Sequence, residues 1–126
     1  MSQNVQTVNK NRLARRGSYV TIRVTGIMLA ILALGHFAVT HIVNDVALTD
    51  ASFIAKRWSS ILWIAWDGLL LGATLLHAVA GMTAVVRDYR TKPISIRRWI
   101  GALIGVALIL SLIGVVTIIY SVLGKS

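Results

Sequence analysis

Charged side chains divide the chain into three long uncharged stretches. Val24 to Asn44 is 21 residues without Asp, Glu, Lys or Arg, Gly68 to Val86 is 19, and Trp99 to Gly124 is 26. Apolar residues run continuously through each stretch, instead of recurring on one helix face or alternating as in a half-buried strand. A bilayer's hydrocarbon core is about 30 Å thick and takes about 20 helical residues to cross. Lipid offers the peptide group no hydrogen bonds, so each span closes its backbone bonds within itself. A closed barrel is set aside because its strands alternate apolar and polar residues. The pattern predicts an all-α protein with three transmembrane helices at about 20–44, 59–87 and 96–123. The second extends back from Gly68 through the apolar run that ends at Trp66. Pro93, the sole proline, falls in the link between the second and third spans, where it breaks no helix. Gly17 and Ser18 separate a basic tail, 1–18, from an anchor domain, 19–126.

Composition narrows the function. Of 126 residues, 56% are hydrophobic and 13% charged, about half the charged fraction of a soluble domain. There is no cysteine, which excludes disulfide scaffolds, thiol catalysis, iron–sulfur ligation and cysteine zinc sites on this chain. The net charge of +9 raises nucleic-acid binding as a question, but the charges sort by membrane side. Lys10, Arg12, Arg15, Arg16 and Arg23 precede the first span, and Arg87, Arg90, Lys92, Arg97 and Arg98 lie between the second and third. Only Lys56, Arg57 and Lys125 fall on the other side. The positive-inside rule then places the N-terminus in the cytoplasm and the C-terminus outside. Anionic lipid accounts for the basic residues and no nucleic-acid partner is expected. The first apolar stretch has full span length and no small-residue cleavage site after it, so it reads as a retained span. With no transit peptide evident, the expected location is a bacterial inner membrane. Trp58, Trp63 and Trp66 are expected to form an outer aromatic belt, with Tyr19, Tyr89 and Trp99 at the inner interface. Gly101 and Gly105 form a GxxxG pair that suits close packing against another helix.

Four polar residues inside the spans, His36, His41, Asp67 and His77, are candidates for chemistry, because ionisable groups in a membrane are costly and tend to mark function. Three helices enclose little, so each is expected to need a partner on another chain or a bound cofactor. His77 lies ten residues before Arg87, about 15 Å from the cytoplasmic end. Haem ligation, an interhelical hydrogen bond and a proton relay are all open to it. Asp88 follows His77 by eleven residues and falls on nearly the same helix face, with Tyr89 beside it. The pair suits a quinone headgroup and its protons, or is ordinary interfacial charge beside an interfacial tyrosine. His36 and His41 are about 140° apart on a helix and cannot face one partner. His36 reads as a second haem ligand or a hydrogen-bonding residue, and the preceding Gly35 leaves room for a flat ligand. His41 reads as an interfacial histidine. Asp67 reads as a half-buried hydrogen-bonding residue near the outer interface, with a proton path as the alternative.

The segment His77, Ala78, Val79, Ala80, Gly81, Met82, with Arg87, Asp88 and Tyr89 beyond it, resembles the small D-subunit membrane anchor of succinate dehydrogenase, respiratory complex II. That family carries a histidine on its second helix, a glycine four residues later, and Asp-Tyr eleven and twelve residues after the histidine. Ile22, Arg23, Val24, Thr25 and Gly26 are similar to the family's arginine followed by small residues. The resemblance spans roughly 19–123 and lives in about ten positions. It implies that His77 is an axial ligand of a b-type haem shared with a second membrane anchor. It implies that Tyr89 bonds a quinone carbonyl, that Asp88 supports it or supplies protons, and that Arg23 lies near a haem propionate or the quinone. Electrons would arrive from the iron–sulfur protein of the complex, which takes them from succinate oxidised at its flavoprotein, linking the tricarboxylic acid cycle to the respiratory chain. The dicarboxylate site would lie off this chain. Two-haem members carry a further histidine on the first span, the role His36 fits, so one or two haems and either menaquinone or ubiquinone remain open. The alternatives are a fumarate reductase anchor, or a small transporter or proton-conducting protein using His36, Asp67 and His77.

Overall fold

The computed structural model describes residues 2–123, with side chains from Arg16 onward except Val46. Helix α1 runs Ser2–Phe37, α2 is the short Ala51–Arg57, α3 is Ile61–Tyr89 and α4 is Pro93–Leu123. No strand occurs among the described residues. Three segments are long and apolar enough to cross a membrane: Arg16–Val43, Ile61–Tyr89 and Pro93–Leu123. The expected all-α architecture is therefore present, with boundaries shifted by a few residues. The basic segment expected as a tail continues α1 as helix from Ser2.

The boundaries have local causes. Phe37 passes into a π-helical stretch, Ala38–Val43, where hydrogen bonds span five residues instead of four. Asn44 ends it in extended conformation while its side-chain amide donates back to Val39 O at 2.6 Å. After one 3₁₀ turn at Val46–Leu48, Asp50 caps α2 by accepting from Phe53 N–H at 2.9 Å. The chain turns through Trp58, Ser59 and Ser60 before α3 starts. At the far end Arg90 is extended and closes α3 by donating its N–H to Val86 O. Pro93 opens α4 at the first helical position, where its missing N–H and fixed φ are no disadvantage.

Helix α3 lies in the middle, packed on α1 along one side and on α4 along another. Glycines set the closest approaches. Gly26 of α1 lies against His77, Gly35 of α1 lies under the Trp66 indole, and Gly114 of α4 lies under Leu71. Partner numbers fall along α3 as they rise along α1, which makes the two helices antiparallel. Gly101 and Gly105 have no neighbour within 4 Å, so the GxxxG pair is not used within this chain. Only Thr25, Leu32 and Ala73 are buried among the described residues, and α4 buries none. A helix that is apolar all round and, away from its contact with α3, exposed is built for lipid or for other helices.

Candidate functional site

Two polar centres lie along the contact between α1 and α3. The first surrounds His77. Its Nδ1 is 3.0 Å from Thr25 Oγ1 on α1. Thr25 Oγ1 also lies 2.6 Å from Thr21 O and 3.3 Å from Ile22 O. Two oxygens at 2.6 Å need a proton between them, and a hydroxyl has one proton to give. Thr25 therefore donates to Thr21 O, and toward His77 it can only accept. That assigns the ring proton to Nδ1 and leaves the lone pair on Nε2. Gly26 sets the ring's distance from α1, since a Cβ there would meet His77 Cε1 at 3.4 Å.

Three turns further along α3, Asp88 and Arg87 line a cleft with Ser18, Tyr19, Ile22 and Ala84. Its volume is about 430 Å³. Tyr89 is one residue on and about 100° around the helix. It lines a separate hollow of about 260 Å³ with Arg90, Thr91, Lys92 and Ser95, and it is 84% exposed. Asp88 and Tyr89 thus face different hollows. Arg23 is exposed and lays its guanidinium over the Tyr19 ring, 4.5 Å from the centroid. Tyr19 lines the Asp88 cleft and Arg23 does not.

The second centre surrounds Asp67, near the start of α3. Its Oδ1 accepts from Arg57 Nη2 at 2.7 Å and its Oδ2 from Trp58 Nε1 at 2.8 Å. The Arg57 side chain is 7% exposed and that of Asp67 17%. His36 Nδ1 lies 3.5 Å from Asp67 Oδ1, too long for a well-made hydrogen bond. A cleft of about 220 Å³ opens beside these residues, with Thr40 and Phe53 on its walls. His41 is exposed, stacks on Phe37 with ring centroids 4.5 Å apart, and has Nδ1 2.8 Å from Thr40 Oγ1.

Several expectations change here. Asp67 and His77 were expected to need partners outside the chain, and both find them within it. The room beside Gly35 holds the indole of Trp66 and not a flat ligand, because α1 and α3 close over that glycine. Trp66 therefore packs into the contact between α1 and α3. Sequence reasoning missed Thr25, Arg57 and Trp58. Thr25 stands inside the segment that carries the family resemblance, where the arginine drew attention first. Arg57 sits ten residues before Asp67, and only the turn at Trp58–Ser60 folds it back.

The chemistry of the donors bears on haem. Axial ligation takes a neutral imidazole nitrogen with a free lone pair, and His77 offers Nε2 in that state. His36 and His77 are too far apart to hold one iron. His36 is ten residues beyond Gly26 on α1, about 15 Å along the helix. No group of three metal-binding side chains occurs among the described residues. The His77 site would therefore fit a haem iron to the extent of one nitrogen ligand, Nε2.

A search of curated proteins finds no match to this chain. Family comparison does: residues 6–114 match the succinate dehydrogenase/fumarate reductase transmembrane subunit. With most of its length matched, and with three helices fit to cross a membrane, the chain belongs to the family of transmembrane subunits of succinate dehydrogenase and fumarate reductase.

Proposed function

We propose that this protein holds one side of a b-type haem through His77 and helps form the quinone site of a succinate:quinone oxidoreductase. The observation that carries the reading is the 3.0 Å contact of His77 Nδ1 with a Thr25 hydroxyl that also lies 2.6 Å from Thr21 O, from which the ring proton is inferred to sit on Nδ1 and Nε2 to be the nitrogen left for iron. Haem, when bound, passes single electrons. This chain's residues do the rest. Thr25 and Gly26 hold the imidazole against α1. Tyr89, exposed at the end of α3, hydrogen-bonds through its phenol to a quinone carbonyl in a site that a neighbouring chain completes. Asp88, in the cleft with Ser18 and Tyr19, takes the part of proton supply, because it does not share Tyr89's hollow. Arg23, Arg87 and the other arginines at this end make it electropositive, which suits haem propionates and anionic lipid headgroups alike.

The partners in this reading are a flavoprotein, an iron–sulfur protein and a second membrane anchor that supplies the opposite iron ligand. The N-terminus lies in the cytoplasm of a bacterial inner membrane. A second haem at His36 rests on the family resemblance alone: Asp67 Oδ1 lies 3.5 Å from its Nδ1, too long for a well-made hydrogen bond, and Trp66 fills the room beside Gly35. The deciding test is a reduced-minus-oxidised spectrum of the purified complex. A b-type α-band that is lost in His77→Ala is expected. A wild-type complex that reduces quinone but shows no haem band would sink the reading.

A further inference from the structure

We infer that Thr25 is a positioning residue for the iron ligand, holding the His77 ring in one tautomer and raising the basicity of Nε2. The inference rests on the haem reading above and deepens it. A threonine in a membrane helix commonly satisfies itself by donating to the carbonyl four residues back. Thr40, Thr74 and Thr117 do so, at 2.8, 2.7 and 2.8 Å. Thr74 and Thr117 are exposed and face no histidine. Thr25 makes the same bond to Thr21 O but is 6% exposed, the one buried polar residue among those described. Its remaining lone pair meets Nδ1 of a histidine on another helix.

The consequence is specific. A neutral imidazole can carry its proton on either nitrogen and can flip about its Cβ–Cγ bond. With Thr25 in place, only the Nδ1–H form, in one ring orientation, satisfies both helices. A hydrogen bond from Nδ1–H pushes electron density onto Nε2, and such partners of metal-bound histidines orient the ring and raise its basicity. A more basic ligand favours the oxidised, more positively charged iron. Thr25 therefore lowers the haem potential and keeps the ring aligned, acting through His77 without touching the cofactor. A threonine that merely joined α1 to α3 would affect assembly and leave the potential alone.

The experiment compares purified complexes carrying wild-type chain, Thr25→Val, Thr25→Ser and His77→Ala, by haem spectrum and by redox titration. Thr25→Val keeps the shape and removes the acceptor. It is expected to favour the reduced haem about tenfold, a shift of about 59 mV to more positive potential for a one-electron couple. Thr25→Ser, which keeps the hydroxyl, is expected to restore the wild-type value. An unchanged potential in Thr25→Val, or a Thr25→Ser complex that behaves like Thr25→Val, overturns the inference while haem ligation by His77 stands. A band that survives in His77→Ala overturns the ligand reading itself. Should Thr25→Val fail to assemble, pulsed EPR of the oxidised wild-type complex reads the same bond directly. A protonated, hydrogen-bonded remote imidazole nitrogen supports the inference, and a remote nitrogen without that bond overturns it.

Discussion

Asp67→Asn removes one charge from the centre near the start of α3 and changes almost nothing in shape. In the native arrangement both carboxylate oxygens are used, one by the Arg57 guanidinium at 2.7 Å and one by the Trp58 indole N–H at 2.8 Å. An amide has one accepting oxygen and one donating nitrogen. At least one of the two donors then faces another donor. The larger effect is on Arg57, whose side chain is 7% exposed and would lose its counter-charge. Breaking a buried pair from one side costs about 3–5 kcal/mol. Asp67 is itself 17% exposed and the amide retains one hydrogen bond, so the low end applies, about 3 kcal/mol.

The control is the double replacement Arg57→Met with Asp67→Leu. Exchanging a buried ion pair for apolar residues of similar volume is often neutral or stabilising, and the Trp58 N–H loses one hydrogen bond worth about 1 kcal/mol, so the double variant is expected within about 1 kcal/mol of the native protein. The assay is detergent-induced unfolding of the assembled complex, followed by the fluorescence of the tryptophans around Asp67. A single variant about 3 kcal/mol less stable, beside a double variant within about 1 kcal/mol of native, is a difference of about 2 kcal/mol that assigns the loss to the unpaired Arg57. A single variant that costs less than about 1 kcal/mol would mean that the pair is solvated and exposed in its effects, and the reasoning fails.

Three further outcomes are expected. Gly35→Ala would place its Cβ 2.5 Å from Trp66 Cζ2, and an indole held between helices has little room to yield. A loss of about 1–3 kcal/mol, read as a lower Tm of the complex, is expected there, whereas Gly72→Ala, with nothing within 4 Å, should leave Tm near its starting value. Tyr89→Phe is expected to slow quinone reduction several-fold, the scale of one hydrogen bond of about 1 kcal/mol, and to spare succinate oxidation with a soluble acceptor. Equal loss of both activities would assign the tyrosine to assembly. At the cap of α2, the Ser52 hydroxyl and then the Phe53 N–H hold the Asp50 carboxyl below its ordinary value of 3.8. A depressed carboxylate stabilises the fold above that ordinary value and loses the contribution as pH falls through its lowered one. The protection factor of the Phe53 amide, its intrinsic exchange rate over the observed one, should therefore fall on acidification below about pH 3.8, and Asp50→Asn should remove that dependence.

What was legible along the chain follows from what lipid enforces. A span has to be long, apolar and helical, so the spans predicted at 59–87 and 96–123 fall within a few residues of α3 and α4. The gaps between charges understate the helices because helix geometry does not stop where charge begins. Arg87, Asp88 and Tyr89 complete the last turn of α3, with long side chains able to reach outward from it. Pro93 starts α4 where a proline in a link was expected to stand outside helix. The candidate residues were legible because ionisable groups are rare between charge gaps, and His77, His36 and Asp67 stand out by type alone. Their partners were not, because a partner is a matter of register and turn. Thr25 finds His77 only once α1 and α3 are antiparallel with Gly26 against the imidazole. Arg57 finds Asp67 only because the chain leaves helix at Trp58–Ser60; in one continuous helix ten residues separate them by about 15 Å. The same reasoning separates Asp88 from Tyr89. Adjacent in sequence, they read as one quinone-binding pair, yet 100° of helix rotation gives each its own hollow. Residue type announces where chemistry is possible in a membrane, and the distribution of proton donors and acceptors across helix contacts decides what each group is free to do.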